Sequence, residues 1–320
     1  MRYVKCNLCG SDEDILIESH RKGRYGKPGA EVRAVICKTC GLVYLNPQLD
    51  DVELNDLYST NYAGTSLEAP DEKLVQMKET GVERILEWLE ERVNLADKAG
   101  KVLDVGCGMG SLLGGLQKRG WDIYGVEPAP GYAQFARDRY GAEVITGFLD
   151  DVSLPGSYFD MVTLGDTFEH FPDPTQTLTR IRSLLKDGGL IYIKVPNITK
   201  HSRLRAFDAP HLYSYSPNSL SSFLRKTGFE PIEIDDGGNI QALAKKGDKD
   251  DISPIDFSSQ GDDYKKIISH LRWRYVYLMP VVVKGWLIRT VSLSIRRIFG
   301  EQRGRKILEL IKKLVPVFRG

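Results

Sequence analysis

The sequence of 320 residues lacks a long uncharged apolar run, has only 5 cysteines and 5 histidines, and carries almost no net charge. Because no stretch of about 18 apolar residues occurs, we expect no ordinary transmembrane helix. Met1 is followed by Arg-Tyr-Val-Lys-Cys rather than by an apolar segment, so we expect no secretory signal and a cytoplasmic location. A net charge of +1, taken alone, argues against a polyanionic partner. Apolar residues still form 42% of the chain, which is enough to bury a core and excludes wholesale disorder.

The near-zero net charge is a cancellation between two parts of the chain. Residues 264–320 contain 14 lysines and arginines but only two acidic residues, a balance of +12. The residues before Tyr264 contain 30 basic and 41 acidic residues, a balance of −11. Such asymmetry between segments indicates a tail that meets a membrane surface or a nucleic acid.

The basic segment 264–320 has the pattern of amphipathic helices. Its apolar residues Val283, Leu287, Val291 and Ile295 recur on one helical face, while lysine and arginine lie mostly on the other face. Tryptophan and tyrosine in the same segment are typical of helices at a membrane interface. We therefore predict that the tail lies on the inner face of the membrane without crossing it. The alternatives are packing on the acidic remainder of the chain, contact between two subunits, and RNA binding.

Four of the 5 cysteines form two Cys-x-x-Cys pairs, Cys6 with Cys9 and Cys37 with Cys40, each followed by glycine. Two such pairs supply four thiolates at the corners of a tetrahedron, which is the ligand set of a structural Zn²⁺ site. Two disulfides or a redox pair are the alternatives, and a reducing compartment disfavours both. Since the protein would fill all four coordination positions, the predicted zinc is structural, and residues 1–50 are predicted to form a zinc ribbon.

The central part of the chain contains a glycine-rich loop between a predicted strand and a predicted helix. The strand Val102-Leu-Asp-Val leads into Gly106-Cys-Gly-Met-Gly110-Ser, where glycines let the backbone approach a ligand and the helix N-terminus offers free amides. The spacing nearly fits a dinucleotide-binding loop, with Glu127 at the place of the ribose-binding acid. Glycines that only turn a strand into a helix are a further alternative. Asp104, two residues before the first glycine, favours a cationic, amine-bearing ligand over a pyrophosphate.

Five further segments follow in a fixed order. They are Tyr124-Gly-Val-Glu127, Thr146-Gly-Phe-Leu-Asp150, Phe159–His170, Leu184–Pro196 and Lys226-Thr-Gly-Phe229. Together with the loop, this series resembles the class I S-adenosylmethionine-dependent methyltransferases over about residues 100–245. The resemblance implies S-adenosylmethionine as the cofactor.

The same resemblance implies the cofactor-binding roles residue by residue. The first motif, which wraps the methionine moiety, is matched by Asp104, Gly106, Gly108 and Gly110. Glu127 matches the acid that accepts both ribose hydroxyls, a role suited to the two oxygens of a carboxylate. Asp150 matches the acid near the adenine amino group, with Leu149 or Phe148 lining the base; a turn or a helix cap is the alternative for Asp150. Cys107, inside the loop, is interpreted as a small loop residue rather than as a nucleophile.

The acceptor side has fewer candidate residues. His170 follows the fourth predicted strand and His211 precedes the next helix, and in this family both positions face the acceptor pocket. We predict a catalytic role for both histidines because a hydroxyl acceptor profits from a base. Asp166 and Glu169 are predicted to join them, since Asp166-x-x-Glu169-His170 suits one helical face and resembles the acidic-histidine cluster of quinone-type O-methyltransferases, which can hold a divalent metal. A structural histidine at the strand end is the alternative for His170.

Strand-like runs alternate with helical segments through this part of the chain. The runs cover 101–105, 122–126, 142–146, 159–165, 189–195 and 230–235. Their alternation predicts an α/β fold with a mostly parallel sheet and helices on both faces, the Rossmann-like fold of class I methyltransferases. In such a sheet ligands bind beyond the carboxyl ends of the strands, where the residues named above fall.

The complete predicted organisation has five parts. They are the zinc ribbon (1–50), a helical connector (51–98), the S-adenosylmethionine-binding methyltransferase domain (99–247), a linker (248–263) and the basic amphipathic helical tail (264–320). In the connector, Ile85, Leu86, Leu89 and Val93 recur at helix spacing and predict an amphipathic helix that packs on the next domain.

These features predict an S-adenosylmethionine-dependent methyltransferase that acts on oxygen. The cysteine pairs and the segment 41–47 resemble the N-terminal module of bacterial methyltransferases that modify cell-surface glycans and sugars. The predicted acceptor is therefore a glycan or a lipid-linked molecule at the inner face of the membrane. A quinone-type or other small-molecule O-methyltransferase is the first alternative, and an RNA methyltransferase that binds nucleic acid through the ribbon and the tail is the second. A cofactor-binding scaffold without activity is the third.

Overall fold

A seven-stranded sheet and a four-stranded sheet form the framework of the described part of the chain. The computed structural model describes residues 1–20, 32–56, 70–95, 97, 99–200, 211–248 and 267. All of these except Ile267 belong to one compact unit, Met1–Tyr264. The predicted linker beyond residue 248 and the predicted tail lie outside the described residues, apart from Ile267. Within the described part of the chain, no helix is long and apolar enough to cross a membrane.

Eleven strands and six helices are described. The strands are β1 Asp14–His20, β2 Val32–Cys37, β3 Val43–Leu45, β4 Lys101–Val105, β5 Asp122–Glu127, β6 Glu143–Thr146, β7 Phe159–Gly165, β8 Leu185–Pro196, β9 Tyr213–Ser214, β10 Phe229–Asp235 and β11 Asn239–Lys246. The helices are α1 Asp51–Asp56, α2 Glu72–Val93, α3 Ser111–Gln117, α4 Pro130–Tyr140, α5 Pro174–Leu184 and α6 Pro217–Lys226. Two short 3-10 turns, Leu149–Asp151 and Phe168–His170, follow β6 and β7.

The large sheet has the strand order β10-β11-β8-β7-β4-β5-β6. The strands β4 to β8 are parallel, and β11 runs antiparallel to both β8 and β10. Parallel strands covered on both faces form nearly continuous apolar runs, and Val102, Leu103 and Val105 of β4 are accordingly buried. The predicted Rossmann-like fold with a mostly parallel sheet is thereby confirmed. The strand β11 is not among the predicted strands, and β8 begins four residues earlier than predicted, at Leu185.

Helices cover the two faces of this sheet in pairs. Helix α3 packs on α4, and α5 packs on α6. From β4 the chain moves to β5 and β6 through α3 and α4, and it then returns past β4 to β7 and on through α5 to β8. Since parallel crossovers are right-handed, the two directions of travel place their helices on opposite faces. The direction changes between β4 and β7, and in sheets of this kind ligands bind at the carboxyl ends of the strands that flank such a point.

Helix α2 belongs to the same core. Asp71 caps its first turn by accepting a hydrogen bond from the amide of Lys73 at 3.1 Å. Leu86 and Leu89, on the face that the sequence spacing predicts, are fully buried with residues of α3 and β4. A Cβ atom on Gly115 of α3 would lie 2.4 Å from Leu86 Cδ1, so the close approach of the two helices requires glycine at that position.

The small sheet joins residues that are distant in sequence. Its strand order is β1-β2-β3-β9, and all three pairings are antiparallel. Val43 of β3 lies opposite Ser214 of β9, and Tyr44 lies opposite Tyr213. Residues 1–50, called the N-terminal module below, therefore receive the fourth strand of their sheet from the segment between β8 and α6.

Candidate active site

The glycine loop follows β4 in a backbone conformation that favours glycine. The φ angles of Gly106, Gly108 and Gly110 are 71°, 54° and 78°. A Cβ atom on Gly106 would lie 2.5 Å from Thr167 Cγ2, and one on Gly110 would lie 2.7 Å from Ala136 Cβ, so these two glycines are required for packing. A Cβ atom on Gly108 would meet nothing within 4 Å, so the loop borders open space there. Gly108 therefore offers its backbone to a ligand.

Two buried carboxylates flank this open space. Asp104, near the end of β4, is 4% exposed, and its Oδ1 accepts a hydrogen bond from Thr163 Oγ1 at 2.7 Å. Desolvation raises the pKa of the Asp104 carboxyl to about 7, and the Glu127 charge adds to the effect. Within the described part of the chain, neither Asp104 nor Glu127 forms an ion pair with a lysine or arginine. A cationic ligand would supply the positive charge that two buried carboxylates otherwise lack.

Glu127 ends β5 and holds the glycine loop in place. Its Oε2 accepts a hydrogen bond from the amide of Gly108 and its Oε1 accepts one from the amide of Ala129, both at 2.8 Å. Burial raises the pKa of Glu127, and these two backbone amides act in the opposite direction by stabilising the charged form. Each carboxylate oxygen still has a second acceptor site. Glu127 can therefore bind two further donors, such as the hydroxyls of a ribose.

The predicted adenine-side residues lie on the 3-10 turn after β6. The amide of Gly147 donates to the backbone oxygen of Glu127 at 3.1 Å, which brings this turn to the end of β5. Leu149 is buried, whereas the side chain of Asp150 is exposed. Arg180 of α5 donates to the backbone oxygen of Asp150 at 3.5 Å and so supports the turn. The arrangement places a buried leucine beside an exposed carboxylate.

Cys107 faces the core rather than the ligand space. A Cβ atom on Gly125 of β5 would lie 2.8 Å from Cys107 Sγ, so the thiol fills the room that this glycine leaves. Burial holds the pKa of the thiol well above its usual range, so the nucleophilic thiolate does not form at neutral pH. The interpretation of Cys107 as a small loop residue rather than a nucleophile agrees with this position.

On the acceptor side, the structure brings three of the four predicted catalytic residues together. Glu169 and His170 lie on the 3-10 turn after β7, and His211 comes from the segment before β9. The Nε2 atoms of His170 and His211 lie 4.0 and 3.9 Å from Glu169 Oε1, and the two imidazole rings are 4.8 Å apart between centroids. These three residues are named the acceptor cluster. Thr167, the residue before its turn, packs on Gly106, so the cluster borders the glycine loop.

Glu169 is the buried member of the acceptor cluster. Its side chain is 2% exposed, and among the described residues neither of its carboxylate oxygens has a hydrogen-bond partner. Burial raises the pKa of the Glu169 carboxyl to about 8. A buried carboxyl group without donors is costly unless a ligand, a proton or a cation satisfies it, which marks this position as a functional site.

Asp166 does not share a helical face with Glu169 and His170, contrary to the expected spacing, although its charge contributes to the raised pKa of Glu169. Its carboxylate accepts from Lys194 Nζ at 2.5 Å and is 49% exposed. The residue has a φ of 54°, so the backbone turns away before the single 3-10 turn that carries Glu169 and His170 begins. A shared helical face does not form because no helix extends across these positions.

Backbone and tyrosine hydrogen bonds fix the two parts of the acceptor cluster to each other. The amide of Leu212 donates to the backbone oxygen of Glu169 at 2.9 Å. The hydroxyl of Tyr213 donates to the backbone oxygen of Pro172 at 3.2 Å, and that of Tyr215 donates to the backbone oxygen of Phe168 at 3.4 Å. The segment that carries His211 is therefore attached to the turn that carries His170.

Sequence reasoning missed two residues of the site. Thr163 donates to Asp104, and Lys194 pairs with Asp166. Thr163 leaves a detectable signal because it is a polar residue inside the apolar run of β7, where a buried hydroxyl needs a partner. Lys194 leaves a similar signal near the end of the apolar strand β8.

The four paired cysteines converge in the N-terminal module. Cys6 Sγ lies 3.4 Å from Cys40 Sγ, Cys9 Sγ lies 3.5 Å from Cys37 Sγ, and all four sulfurs lie within 4.8 Å of one another. These separations exceed the disulfide length of about 2.05 Å, and all four cysteines are free. Four thiolates at about 2.3 Å from a tetrahedral Zn²⁺ would be about 3.8 Å apart, so the cluster has the dimensions of a zinc site.

Comparisons with known proteins agree with this site. A family model described as a methyltransferase domain matches residues 77–234. The ubiquinone biosynthesis O-methyltransferase of Pseudomonas entomophila (strain L48) is 31% identical over 167 residues, which are 50% of this chain and 70% of that protein. The protein of the same name from Pseudomonas fluorescens (strain Pf0-1) is 32% identical over 167 residues, again 50% of this chain and 70% of that protein.

A solved structure with a similar course of the chain is that of the PH0226 protein from Pyrococcus horikoshii OT3. It covers 59% of this chain and 98% of its own, at 18% identity and a TM-score of 0.47. The region matched by the family model includes the glycine loop, both buried cofactor-side carboxylates and the turn that carries Glu169 and His170. The chain therefore belongs to the class I S-adenosylmethionine-dependent methyltransferases.

Proposed function

We propose that the enzyme transfers the methyl group of S-adenosylmethionine to a hydroxyl oxygen of a quinone-type aromatic acceptor. The observation that carries this proposal is the acceptor cluster, which lies beside the glycine loop at the carboxyl end of β7. Two imidazoles and a buried carboxyl group are suited to removing a hydroxyl proton. The relatives named ubiquinone biosynthesis O-methyltransferase support a quinone-type acceptor over a glycan.

S-adenosylmethionine is proposed to bind along the ends of β4, β5 and β6. The cofactor, when bound, supplies a methyl group on a positively charged sulfonium. Asp104 and Glu127 provide the negative charge that this cation and its amino group require. Gly108 leaves room for the methionine moiety, Glu127 accepts from the ribose hydroxyls, and Leu149 with Asp150 lines the adenine. The open space at Gly108 and the spare acceptor sites of Glu127 support this arrangement.

The residues of the chain contribute to the reaction mainly through position. Methyl transfer is an in-line displacement, so alignment of the acceptor oxygen and exclusion of water supply much of the rate. His211 or His170 can accept the proton of the acceptor hydroxyl at an imidazole nitrogen. The Glu169 carboxylate lies about 4 Å from both Nε2 atoms and, once ionised, would stabilise the resulting imidazolium by its charge. General-base help of this kind contributes about 10²–10⁴-fold.

The acceptor cluster also has the composition of a divalent cation site. Two imidazoles and one carboxylate offer ligand atoms within 4.8 Å of one another. A cation held there would lower the pKa of a bound hydroxyl and assist its deprotonation. Addition of Mg²⁺, Mn²⁺ or Zn²⁺ to enzyme treated with EDTA distinguishes a histidine base from a cation bound by the acceptor cluster. Activity that is unchanged by EDTA and by all three ions supports the histidine base, whereas activity that Mg²⁺ or Mn²⁺ restores supports the cation. Restoration by Zn²⁺ alone reports the four-cysteine site instead, because thiolates select zinc over those two ions.

The cysteine cluster of the N-terminal module is proposed to hold one structural Zn²⁺. We expect purified full-length protein to contain about one zinc ion per chain, because four thiolates complete the coordination. Cys37→Ser removes one ligand and is expected to reduce the zinc content well below this value, as measured with a colorimetric chelator after denaturation. Cys107→Ser, outside the cluster, is the matched control and keeps the zinc. Equal zinc contents in the two variants would place the metal elsewhere.

A glycan or lipid-linked acceptor at the membrane remains the second candidate function. The specific observation in its favour is the +12 charge of residues 264–320 in a chain that is otherwise acidic. Labelled S-adenosylmethionine, added to cell extract with the enzyme, tests both candidates in one experiment. Label in aromatic small molecules supports the quinone-type acceptor, and label in glycan or lipid fractions supports the membrane acceptor. Label in RNA, or in no fraction while the cofactor still binds, contradicts both.

Cofactor binding is expected to depend on pH through Asp104. Its folded-state pKa of about 7 is raised above the ordinary value, so in the free protein ionisation of Asp104 costs stability, and the stability it contributes falls as pH rises from about 4 to 7. A cationic cofactor favours the ionised carboxylate, so binding releases a proton below pH 7. We expect the affinity to rise about tenfold per pH unit up to about pH 7 and then to level off.

Titration calorimetry between pH 5.5 and 7.5, in buffers that differ in ionisation enthalpy, measures the released proton directly. Asp104→Asn is the matched variant because its amide oxygen can still accept from Thr163, and it is expected to bind more weakly without releasing this proton. An affinity of the unsubstituted enzyme that is flat over this range would show that Asp104 is already ionised or lies away from the cofactor.

A further inference from the structure

We propose that the N-terminal module positions the acceptor cluster, and that its four-cysteine site is the part that makes this positioning rigid. The proposal goes beyond a structural zinc site, because it assigns to the module a role in the acceptor half of the reaction and none in cofactor binding. It rests on the proposed function in one respect, namely that the acceptor cluster is where the acceptor hydroxyl reacts. Two independent sets of contacts carry it.

The first set runs from the first cysteine pair to the segment after His170. Asn7, between Cys6 and Cys9, accepts hydrogen bonds at its Oδ1 from the amide and the hydroxyl of Thr175, at 3.0 and 2.7 Å. Its Nδ2 donates to Asp173 Oδ1 at 2.9 Å. Asn7 therefore satisfies an orphan amide at the N-terminus of α5, as a helix cap does, although it is some 170 residues away in sequence.

The same asparagine is also bound through its backbone. Lys226 Nζ, at the end of α6, donates to the backbone oxygen of Asn7 at 2.8 Å and to Thr175 Oγ1 at 3.2 Å. The knuckle formed by Cys6 and Cys9 is thus attached to both α5 and α6. Thr175 follows His170 by only five residues. The knuckle therefore restrains the position of the segment that leads from the turn of the acceptor cluster into α5.

The second set runs from β3 to the segment that carries His211. The amide of Leu45 donates to the backbone oxygen of Leu212 at 2.9 Å, and the amide of Leu212 donates to the backbone oxygen of Glu169 at 2.9 Å. Leu212, the neighbour of His211, is therefore held between the module on one side and the turn of the acceptor cluster on the other. Tyr44 and Tyr213 continue this attachment as paired residues of β3 and β9, with rings 6.3 Å apart.

Both segments that carry the histidines are thus held by contacts with the N-terminal module. The two strands that pair in the second set of contacts are short, since β3 has 3 residues and β9 has 2. A cluster of four thiolates without its metal loses the cross-link that joins the two knuckles, since metal binding supplies folding free energy to small metal modules. The module's contacts described above reach residues 173–175, 212–214 and 226. The glycine loop, Asp104 and Glu127 lie instead at the ends of β4 and β5. Loosening the module should therefore move the histidines and leave the cofactor in place.

Hydrogen exchange of the full-length enzyme, read by mass spectrometry, tests the positioning without any acceptor. Removal of zinc by a chelator is expected to accelerate exchange about tenfold in residues 171–177 and 211–216, while residues of the glycine loop keep their protection. Added Zn²⁺ should restore the original rates. The dissociation constant of S-adenosylmethionine, measured on the same samples, is expected to change less than about twofold.

Asn7→Ala tests the first set of contacts without touching a metal ligand. Its matched control is Lys38→Ala, because Lys38 occupies the equivalent place in the second cysteine pair and its side chain, among the described residues, reaches Glu13 alone, at 3.4 Å. Both variants should keep their zinc, and only Asn7→Ala should accelerate exchange in residues 171–177. If Asn7→Ala fails to fold, Thr175→Val removes the hydroxyl contact to Asn7 from the other side.

Once an acceptor substrate has been identified, Asn7→Ala is expected to lower kcat about tenfold while the KM for S-adenosylmethionine stays unchanged. Equal exchange rates in the two variants, or a loss of cofactor affinity that parallels the loss of protection, would overturn the proposal and leave the module as a general stabilising element. The exchange and binding measurements need no acceptor. Failure of the proposed reaction is therefore distinguishable from failure of the positioning.

Discussion

Replacing His211 with glutamine is expected to lower the rate of methyl transfer by about 10²–10⁴-fold, which is the usual contribution of a general base. Glutamine keeps the approximate size of histidine and its ability to hydrogen-bond, but it cannot take up a proton near neutral pH. His211 lies 3.9 Å from the buried carboxyl of Glu169 and is the more exposed of the two cluster histidines, so it is the better placed to meet an incoming acceptor. Single-turnover rates at saturating cofactor measure the effect on the chemical step.

The dissociation constant of S-adenosylmethionine serves as the internal control for this variant. It should remain within about twofold of the unsubstituted value, since His211 belongs to the acceptor side. His170→Gln is the companion variant, and a smaller loss there would identify His211 as the base and His170 as its support. If His211→Gln retains full activity, the proton leaves by another route and the acceptor cluster loses its assigned role.

Replacing Glu127 with glutamine is expected to weaken S-adenosylmethionine binding by about a hundredfold or more. Hydrogen bonds to a charged group are worth about 1.5–3 kcal/mol each, and the substitution removes the charge from two of them. Glu127 accepts hydrogen bonds from the backbone amides of Gly108 and Ala129. The side-chain NH₂ group of glutamine is a donor, so it would face one of these two amide donors without forming a hydrogen bond. Equilibrium binding of labelled cofactor gives the affinity without the need for an acceptor.

Glu143→Gln is the matched control for this prediction. Glu143 is exposed and is the first residue of the neighbouring strand β6, whereas Glu127 is the last residue of β5. Glu143→Gln therefore removes the same charge at the opposite end of the strands. Its cofactor affinity is expected to equal that of the unsubstituted enzyme. Comparable losses in both variants would indicate a general effect of net charge, and an unchanged affinity in Glu127→Gln would contradict the assignment of the ribose site.

The positions of the candidate cofactor-binding residues could be predicted because local sequence determines the geometry there. Asp104 and Glu127 sit at the ends of buried parallel strands, and such strands are recognisable as apolar runs. Glycines mark the loop between them because the backbone there has positive φ. Once the strands are placed, the topology of a parallel sheet brings these residues to one edge without further information.

The acceptor half could be predicted only in composition. His211 meets Glu169 because β9 is held by β3, and β9 consists of only Tyr213–Ser214, too short to show any periodicity. For Asp166 a local pattern was present but misleading. Its spacing from Glu169 fits a helix, whereas its backbone has a φ of 54°, which is not helical. Interactions between residues far apart in sequence decide both positions, and no local pattern encodes them.

The strand β11 was missed for a related reason. Its sequence, Asn239–Lys246, has a short apolar centre between polar ends, and its two hydrogen-bonded neighbours run antiparallel to it. A sheet otherwise built from parallel strands gives no reason to expect such a strand between β8 and β10.

The pairing of β3 with β9 also has a consequence for the order of events during synthesis. The two strands are separated by about 170 residues, so a ribosome that adds roughly 5–20 residues per second needs roughly 10–30 s between them. Throughout that interval the edge of β3 has no partner, and contacts of such long range form late in folding. Strands β1 to β3 are therefore synthesised well before the fourth strand of their sheet. In that interval the emerging polypeptide would carry an open sheet edge with which another strand could pair.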